Sequence, residues 1–563
     1  MRRAAPVIMI VLLAAARGRC GELFDDAALR FAGKVDVEAL SLLPVQHCGR
    51  VAILDTLARQ QVAQAYGRAD IDAVEPAFAF LELYFNAGAY LDRPVLYVRE
   101  KNMREFLGGA MDHEDAAHFL LTRRLPPVAL ADERFLKMLV ATGRATGDDL
   151  LRAGNAYPSL RDALRRLAGR PEFRVPLERL SGRYESFVSE DGLRAAPSTG
   201  RWLSFEELAS RSPGTAARPA EYGRVLGELA SAWRARDAAA VNAAAKSLGG
   251  MTRLELADAM PSETVLRLER LYNRWYEGRV TFAGFAAATL LLILAASGAR
   301  WARAPGLGAM ALSTAALLAA FAVRWVLSGR EWYLPPIMNL FEAVTGSALL
   351  AAVAAIIMEL IRPKNYFGLA ASFYAAIAML GGLLFPEAME PGISAQHGIL
   401  HSPAMAVHVA AIIMGHAFVG MTFVLSAAYL VVFGLRAARA GGAEPLSSGG
   451  NDLSAPAPPG ALAAIDRCNL IAAQLACWTV AAGTMLGAWW ADFAWGRWWG
   501  WDIKETWALI TALIYVLIIH VRFSVPPRAR GLWTAVLCVL GCAVMLFNWF
   551  IVNRYFAGLH SYG

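Results

Sequence analysis

Apolar and polar residues are spread very unevenly along this chain. From about Glu22 to Arg279 charged and apolar positions are interleaved, and no apolar run approaches the roughly 20 residues that cross a bilayer as a helix. From Val280 onward such runs recur. Eight can be drawn, at approximately 280–297, 307–328, 337–361, 366–385, 404–434, 468–488, 503–523 and 533–551, each long enough to span with some tilt. The pattern predicts an all-α polytopic membrane protein of about eight transmembrane helices over 280–563. It is preceded by a soluble domain over 23–279, where Leu- and Ala-rich stretches predict mainly helix, around Val51–Ala65 and Ala216–Leu248.

Residues 1–22 read as a signal peptide or N-terminal anchor, because Arg2 and Arg3 precede an apolar run, Pro6 to Ala16, that is too short for an ordinary span. The soluble domain is therefore expected outside the cell membrane. Arg17 and Arg19 do not suit a lipoprotein cleavage site before Cys20. With the first half outside, every later loop acquires a predicted side. Arg300, Arg303, Arg362, Lys364, Arg436, Arg439, Arg467, Arg522, Arg528 and Arg530 all fall in inside loops, whereas the long outside loop Pro386–Pro403 holds Glu387 and Glu390 and no Lys or Arg. This is the positive-inside asymmetry, and it predicts a multi-pass protein of a bacterial inner (plasma) membrane with the soluble domain and the C-terminal tail, 552–563, extracytoplasmic. Ala440–Pro459, rich in Gly, Ser, Pro and Ala, reads as a flexible cytoplasmic linker.

The mean hydropathy is +0.39 and the formal net charge +7, but the basic residues of the second half serve as topology signals, so nucleic acid is not the expected partner. Six cysteines occur without a C-x-x-C, and Cys468, Cys477, Cys538 and Cys542 lie in or beside apolar helices as small core residues.

Between the sixth and seventh helices, the segment 487–507 carries seven tryptophans: Trp489, Trp490, Trp495, Trp498, Trp499, Trp501 and Trp507. An interfacial aromatic belt accounts for one or two of them. Seven indoles with glycines at Gly496 and Gly500 form a platform suited to a large, flat, apolar ligand. Asp502 followed by Glu505 at the mouth of the next helix has the spacing of a capping box, a reading that ranks above a catalytic one.

The stretch Gly487–Arg522, through Tyr515 and His520-Val-Arg522, resembles the WWD domain of the haem-handling superfamily. His408-Val, Asn339-Leu-Phe-Glu-Ala343 and the terminal Gly558-Leu-His-Ser-Tyr-Gly563 are similar to the CcsA (ResC) branch of that superfamily, System II of cytochrome c biogenesis. In the soluble half, Gly49–Ala58 resembles an extracytoplasmic segment of extended CcsA proteins. The chain departs from the family pattern at Ile503, where proline is usual, and at Ala512, where an aromatic is common.

The resemblance implies haem b as substrate and transiently bound ligand, with Trp489, Trp490, Trp495, Trp498, Trp499, Trp501 and Asp502 at its site. Arg497 and Lys504 could then pair with haem propionates or simply sit in the headgroup region. It implies His408 and His560 as the outer axial pair, and the predicted topology independently puts both beside the tryptophans. His520 lies 18 residues beyond Asp502, roughly 27 Å down the helix, too far to share that iron. The resemblance makes it a ligand of a second, intramembrane haem whose other ligand comes from a companion CcsB (ResB)-like subunit.

His416 is expected to be structural or accessory. His397 and His401 could form a helical pair but lack an evident third ligand. His47, His113 and His118 read as ordinary surface residues. The implied function is the haem-handling subunit of a cytochrome c synthase (haem lyase). It would export or present haem for thioether attachment to C-x-x-C-H apocytochromes, with apocytochrome c and thiol-reducing proteins as further partners and no catalytic side chain of its own. The alternative is a haem exporter or carrier that hands haem to a separate ligase.

Overall fold

The computed structural model describes residues 23–48, 50–90, 92–98, 101–109, 111–126, 217–255, 260–275, 278–330, 333–334, 337–385, 389, 391–393, 402–439, 460–552 and 556. The signal segment, the expected linker at 440–459, and His397, His401 and His560 lie outside these residues. The chain divides into two compact units, Met1–Asn273 and Arg274–Gly563.

The first unit is mainly helical: α1 Asp26–Ala32, α2 Val37–Ser41, α3 Leu54–Tyr66, α4 Pro76–Phe85, α5 Lys101–Gly108, α6 His113–Thr122, α7 Ala217–Arg234, α8 Ala238–Glu255 and α9 Glu263–Trp275. Two short antiparallel pairs accompany them, β1 Pro44–His47 with β2 Arg50–Ile53, and β3 Leu96–Tyr97 with β4 Arg124–Leu125. Helix was expected from Val51. The structure instead pairs Val51 and Ala52 with Gln46 and Val45, and the helix begins only at Leu54. The mainly helical stretch expected over Ala216–Leu248 forms two helices, α7 and α8. Arg236 adopts φ 58°, and the Asp237 carboxylate accepts the Ala240 amide at 3.1 Å, restarting the helix as α8. Phe31, Phe78 and Trp233 centre the core, with ring centroids of Phe31 and Phe78 each 5.3 Å from Trp233. Beneath them Glu82, fully buried, accepts from Tyr90 Oη, Trp233 Nε1 and both terminal nitrogens of Arg236.

His47 differs from its expected surface role. It is half-buried against Gln60, and burial pulls its pKa down to about 4. His118 is exposed, as expected, and the side chain of His113 falls outside the description.

Among its described residues the second unit has eight helices long and apolar enough to cross a membrane: α10 Arg279–Ala296, α11 Arg303–Ser328 (a 3-10 turn, Arg300–Ala302, precedes it), α12 Leu340–Ile361, α13 Tyr366–Leu384, α14 Pro403–Arg439, α15 Ala461–Trp495, α16 Ile503–Ser524 and α17 Pro527–Phe547, which runs on into a π-helical turn, Asn548–Val552. Helices α14 and α15 extend well past the apolar spans drawn from the sequence. Successive helices alternate in direction, so the bundle has a tryptophan-bearing end and an opposite end.

At the opposite end, charged side chains lock helix termini. Arg522 on α16 donates to both Asp466 oxygens on α15 at 2.6 and 2.9 Å and to Thr534 on α17 at 2.8 Å. Glu359 accepts the amides of Asn365, Phe367 and Gly368, capping α13, and Arg303 Nε donates to Asn365 at 2.7 Å.

At the tryptophan end the Asn339-Leu-Phe-Glu342 motif acquires a structural reason. Asn339 caps α12 by accepting the Glu342 amide, while Glu342 accepts the Met338 amide and pairs with buried Arg324 at 2.6 Å. Arg324 and Asn339 also donate to the carbonyls of Pro391 and Gly392, tethering the segment that precedes α14.

Candidate haem-handling site

The tryptophan segment, read from sequence as a loop, is mostly helix. α15 carries Trp489, Trp490 and Trp495 on its last two turns, and only 496–502 turns back before α16. The reversal is tight. Gly496 caps α15 at φ 69°, and Trp501 takes φ 55°, a left-handed conformation that is strained for a bulky residue. The Arg497 guanidinium folds over Gly500. The start of α16 has the expected capping box: Asp502 Oδ1 accepts the Lys504 amide at 2.9 Å, and Glu505 Oε2 accepts the amides of Gly500 and Asp502 at 2.8 and 3.1 Å.

The seven indoles divide into two groups. Trp490, 2% exposed, stacks edge-on against Trp495 at 5.0 Å and packs with Met338, Ala404 and Met405, so it belongs to the core. Trp507 packs on Phe547 of α17 at 4.5 Å. Trp489, Trp498 and Trp501 are exposed at the bundle surface, Trp498 by 56% and Trp501 by 71%, with Trp499 half-buried and edge-on to Trp501 at 5.9 Å. Exposed indoles on a turn held by the capping bonds make a ready stacking surface.

His408 sits one turn into α14, against Gly483 and Gly487 of α15. Its Nδ1 lies 2.8 Å from the Gly483 carbonyl oxygen. A carbonyl only accepts, so Nδ1 is the donor in this contact. The ring lies on Gly487, the first residue of the tryptophan segment; a Cβ there would stand 2.6 Å from His408 Cε1. His408 thus lies beside the tryptophan segment, as the topology predicted.

His520 is at the far end of α16, with Nδ1 donating to the Val516 carbonyl at 2.8 Å. Its ring is exposed on the outer face of the helix, away from the bundle core, among exposed Leu513, Val516, Leu517 and Phe523. The structure does not bring it near His408. His416 is buried, and its Nδ1 accepts from Trp549 Nε1 at 3.2 Å with the rings perpendicular. That bond places the proton on Nε2 and pins the π-helical turn that ends α17, a structural role of the expected kind. Trp549 was not singled out from sequence, and nothing in its spacing to His416, 133 residues away, could have indicated it. Among the described residues no cluster of three or more His, Cys, Asp or Glu could hold a metal ion. Cys468, Cys477, Cys538 and Cys542 are buried thiols, as expected.

A family model described as Cytochrome C assembly protein matches residues 337–560. Cytochrome c biogenesis protein CcsA of Synechococcus sp. (strain RCC307) is 30% identical over 255 residues, covering 43% of this chain and 78% of that protein. CcsA of Synechococcus sp. (strain CC9902) is 29% identical over 308 residues, covering 50% of this chain and 96% of the relative. Protein NrfI of Wolinella succinogenes is 33% identical over 193 residues, and the match spans 33% of this chain but only 19% of NrfI.

Proposed function

The chain belongs to the CcsA family of cytochrome c biogenesis proteins, and from that membership we propose that it is the haem-presenting subunit of a System II cytochrome c synthase. Haem is its substrate, held transiently at the tryptophan end while the vinyl groups meet the two cysteines of an apocytochrome C-x-x-C-H segment. Each S–H adds across one vinyl C=C, forming a C–S bond and transferring hydrogen to the neighbouring carbon, so no oxidant is consumed.

The attacking thiols belong to the apocytochrome, and this chain contributes by positioning. His408 and His560 bind the iron from opposite faces. The exposed Trp489, Trp498 and Trp501, with Trp499, cover the macrocycle, above a base built from Trp490, Trp495 and the Asp502 cap. His520 holds an earlier haem, within the membrane, together with a ligand from a CcsB-like subunit. Its outward orientation favours that arrangement, since a partner helix can reach an imidazole on the outer face of α16. The soluble domain and C-terminus are extracytoplasmic in this reading, and thiol-reducing proteins keep the apocytochrome cysteines reduced.

The observation that carries the proposal is the His408 imidazole lying against Gly487, where the tryptophan segment begins, with its Nδ1 2.8 Å from the Gly483 carbonyl. The test is reconstitution with a CcsB-type subunit and a reporter apocytochrome in cells lacking their own maturation system. Covalent haem on the reporter after denaturation is the expected result. Haem that accumulates in the complex without ever becoming covalent would replace the synthase reading with that of an exporter or carrier.

A further inference from the structure

We infer that Gly487, with the Gly483 carbonyl one helical turn before it, forms a seat that aims the His408 imidazole, making Gly487 a positioning residue for the axial ligand. The inference rests on the reading of His408 as that ligand.

Three observations converge on the seat. α14 and α15 run against each other with glycines at the contact: a Cβ on Gly415 would stand 2.6 Å from Val480 Cγ2, and one on Gly483 would stand 2.9 Å from the Ile412 backbone nitrogen. Backbones this close bring the Gly483 carbonyl within 2.8 Å of His408 Nδ1, which donates to it. The second plane of contact is Gly487 itself. A Cβ there would lie 2.6, 2.8 and 3.3 Å from Cε1, Nδ1 and Nε2, so the missing side chain is the space that the ring edge occupies.

The Gly483 carbonyl holds Nδ1, and the flat Cα surface of Gly487 bears on the ring and constrains where Nε2 points. Orienting contacts of this kind govern ligand binding at metal sites, and their loss costs about 10–100-fold in affinity or activity. With any larger residue at 487 the imidazole must swing off its seat or the helices must part.

The experiment compares Gly487→Ala, His408→Gly and the double variant in the full chain with its companion subunit, scoring covalent haem on the reporter with and without added imidazole. Gly487→Ala should lower the yield about 10–100-fold, and imidazole should restore part of it, because a mobile ligand replaces a displaced one. The spectrum of its bound haem should match that of His408→Gly. The double variant separates the seat from a folding defect. Once the ring is gone the alanine methyl group has room, so the double variant should match His408→Gly alone in protein level and in imidazole-rescued yield. If Gly487→Ala lowers the rescued yield further in the His408→Gly background, the glycine acts through helix packing and the seat is overturned. Full activity of His408→Gly without imidazole would overturn the ligand reading and the seat together, whereas full activity of Gly487→Ala alone would overturn only the seat.

Discussion

The two ends of the membrane bundle use polar chemistry in opposite ways. At the end opposite the tryptophans, charges are spent on the fold: Arg522 joins three helices through Asp466 and Thr534, and Glu359 closes the amides that begin α13. At the tryptophan end the ionic groups Arg324 and Glu342 are equally committed, but they hold a frame around groups presented outward. Those are exposed indoles, a left-handed Trp501 and an imidazole held at Nδ1 by the Gly483 carbonyl. Strain and exposed aromatic surface reduce stability, and they collect where a ligand can offset them. His520 is the exception, a functional candidate at the structural end, and it faces outward where bundle packing does not need it.

The largest expected effect tests that exception. His408→Gly should cut covalent haem on a reporter by more than about 100-fold, beyond the loss of an orienting contact, yet leave haem in the membrane position. His520→Ala should leave little haem anywhere in the complex, because the outer site is then starved of haem arriving from the cytoplasm. Absorption spectra of the two purified variants decide the matter. A normally filled outer site in His520→Ala would mean that the two ends are not successive stations.

Next come changes that strike the fold. Arg522→Leu strands Asp466 and should cost about 3 kcal/mol. Trp490→Ala empties a core position and should cost about 3–5 kcal/mol. Thermal unfolding in detergent measures both. The haem spectrum of the surviving folded Arg522→Leu protein should be unchanged, since that residue serves only the opposite end. A shifted spectrum would show that the ends are coupled.

The eight spans were legible because hydropathy measures the thickness of the bilayer. The same fact explains why the ends of α14 and α15 were not: helix continues through Arg439 and Trp495, beyond the apolar stretch. The capping box at Asp502 and Glu505 is local, four residues long, and could be read directly. The partners Arg324–Glu342 and His416–Trp549 are separated by 18 and 133 residues, and only packing brings them together. Gly483 and Gly487 lay between these cases. Their small-x-x-x-small spacing is a known signal of close helix approach, and it becomes informative only once α14 is known to be the neighbour.

Smaller effects separate the indoles. Trp498→Ala and Trp501→Ala should each weaken haem binding by about 0.5–1.5 kcal/mol, roughly twofold to tenfold, without lowering the unfolding temperature, because both rings are exposed. Titration of the purified complex with haem measures the first quantity. Equal loss of stability and binding would return these residues to the core group with Trp490.

The smallest effect concerns Asp502, which the capping geometry and the haem site both claim. As an N-cap its oxygen accepts the Lys504 amide, and asparagine offers a side-chain oxygen of the same reach. Asp502→Asn should therefore change stability by only a few tenths of a kcal/mol, and Asp502→Ala should lose about 1 kcal/mol. If the residue acts through its cap alone, haem affinity follows stability in both variants and is nearly unchanged in the first. The helix dipole adds a modest preference for the charged form, since a carboxylate at the start of α16 complements its partial positive charge. Haem titration of Asp502→Asn distinguishes the roles: a tenfold or greater loss with stability intact would mean that the carboxylate charge itself meets the ligand, and that the cap is shared between the fold and the site.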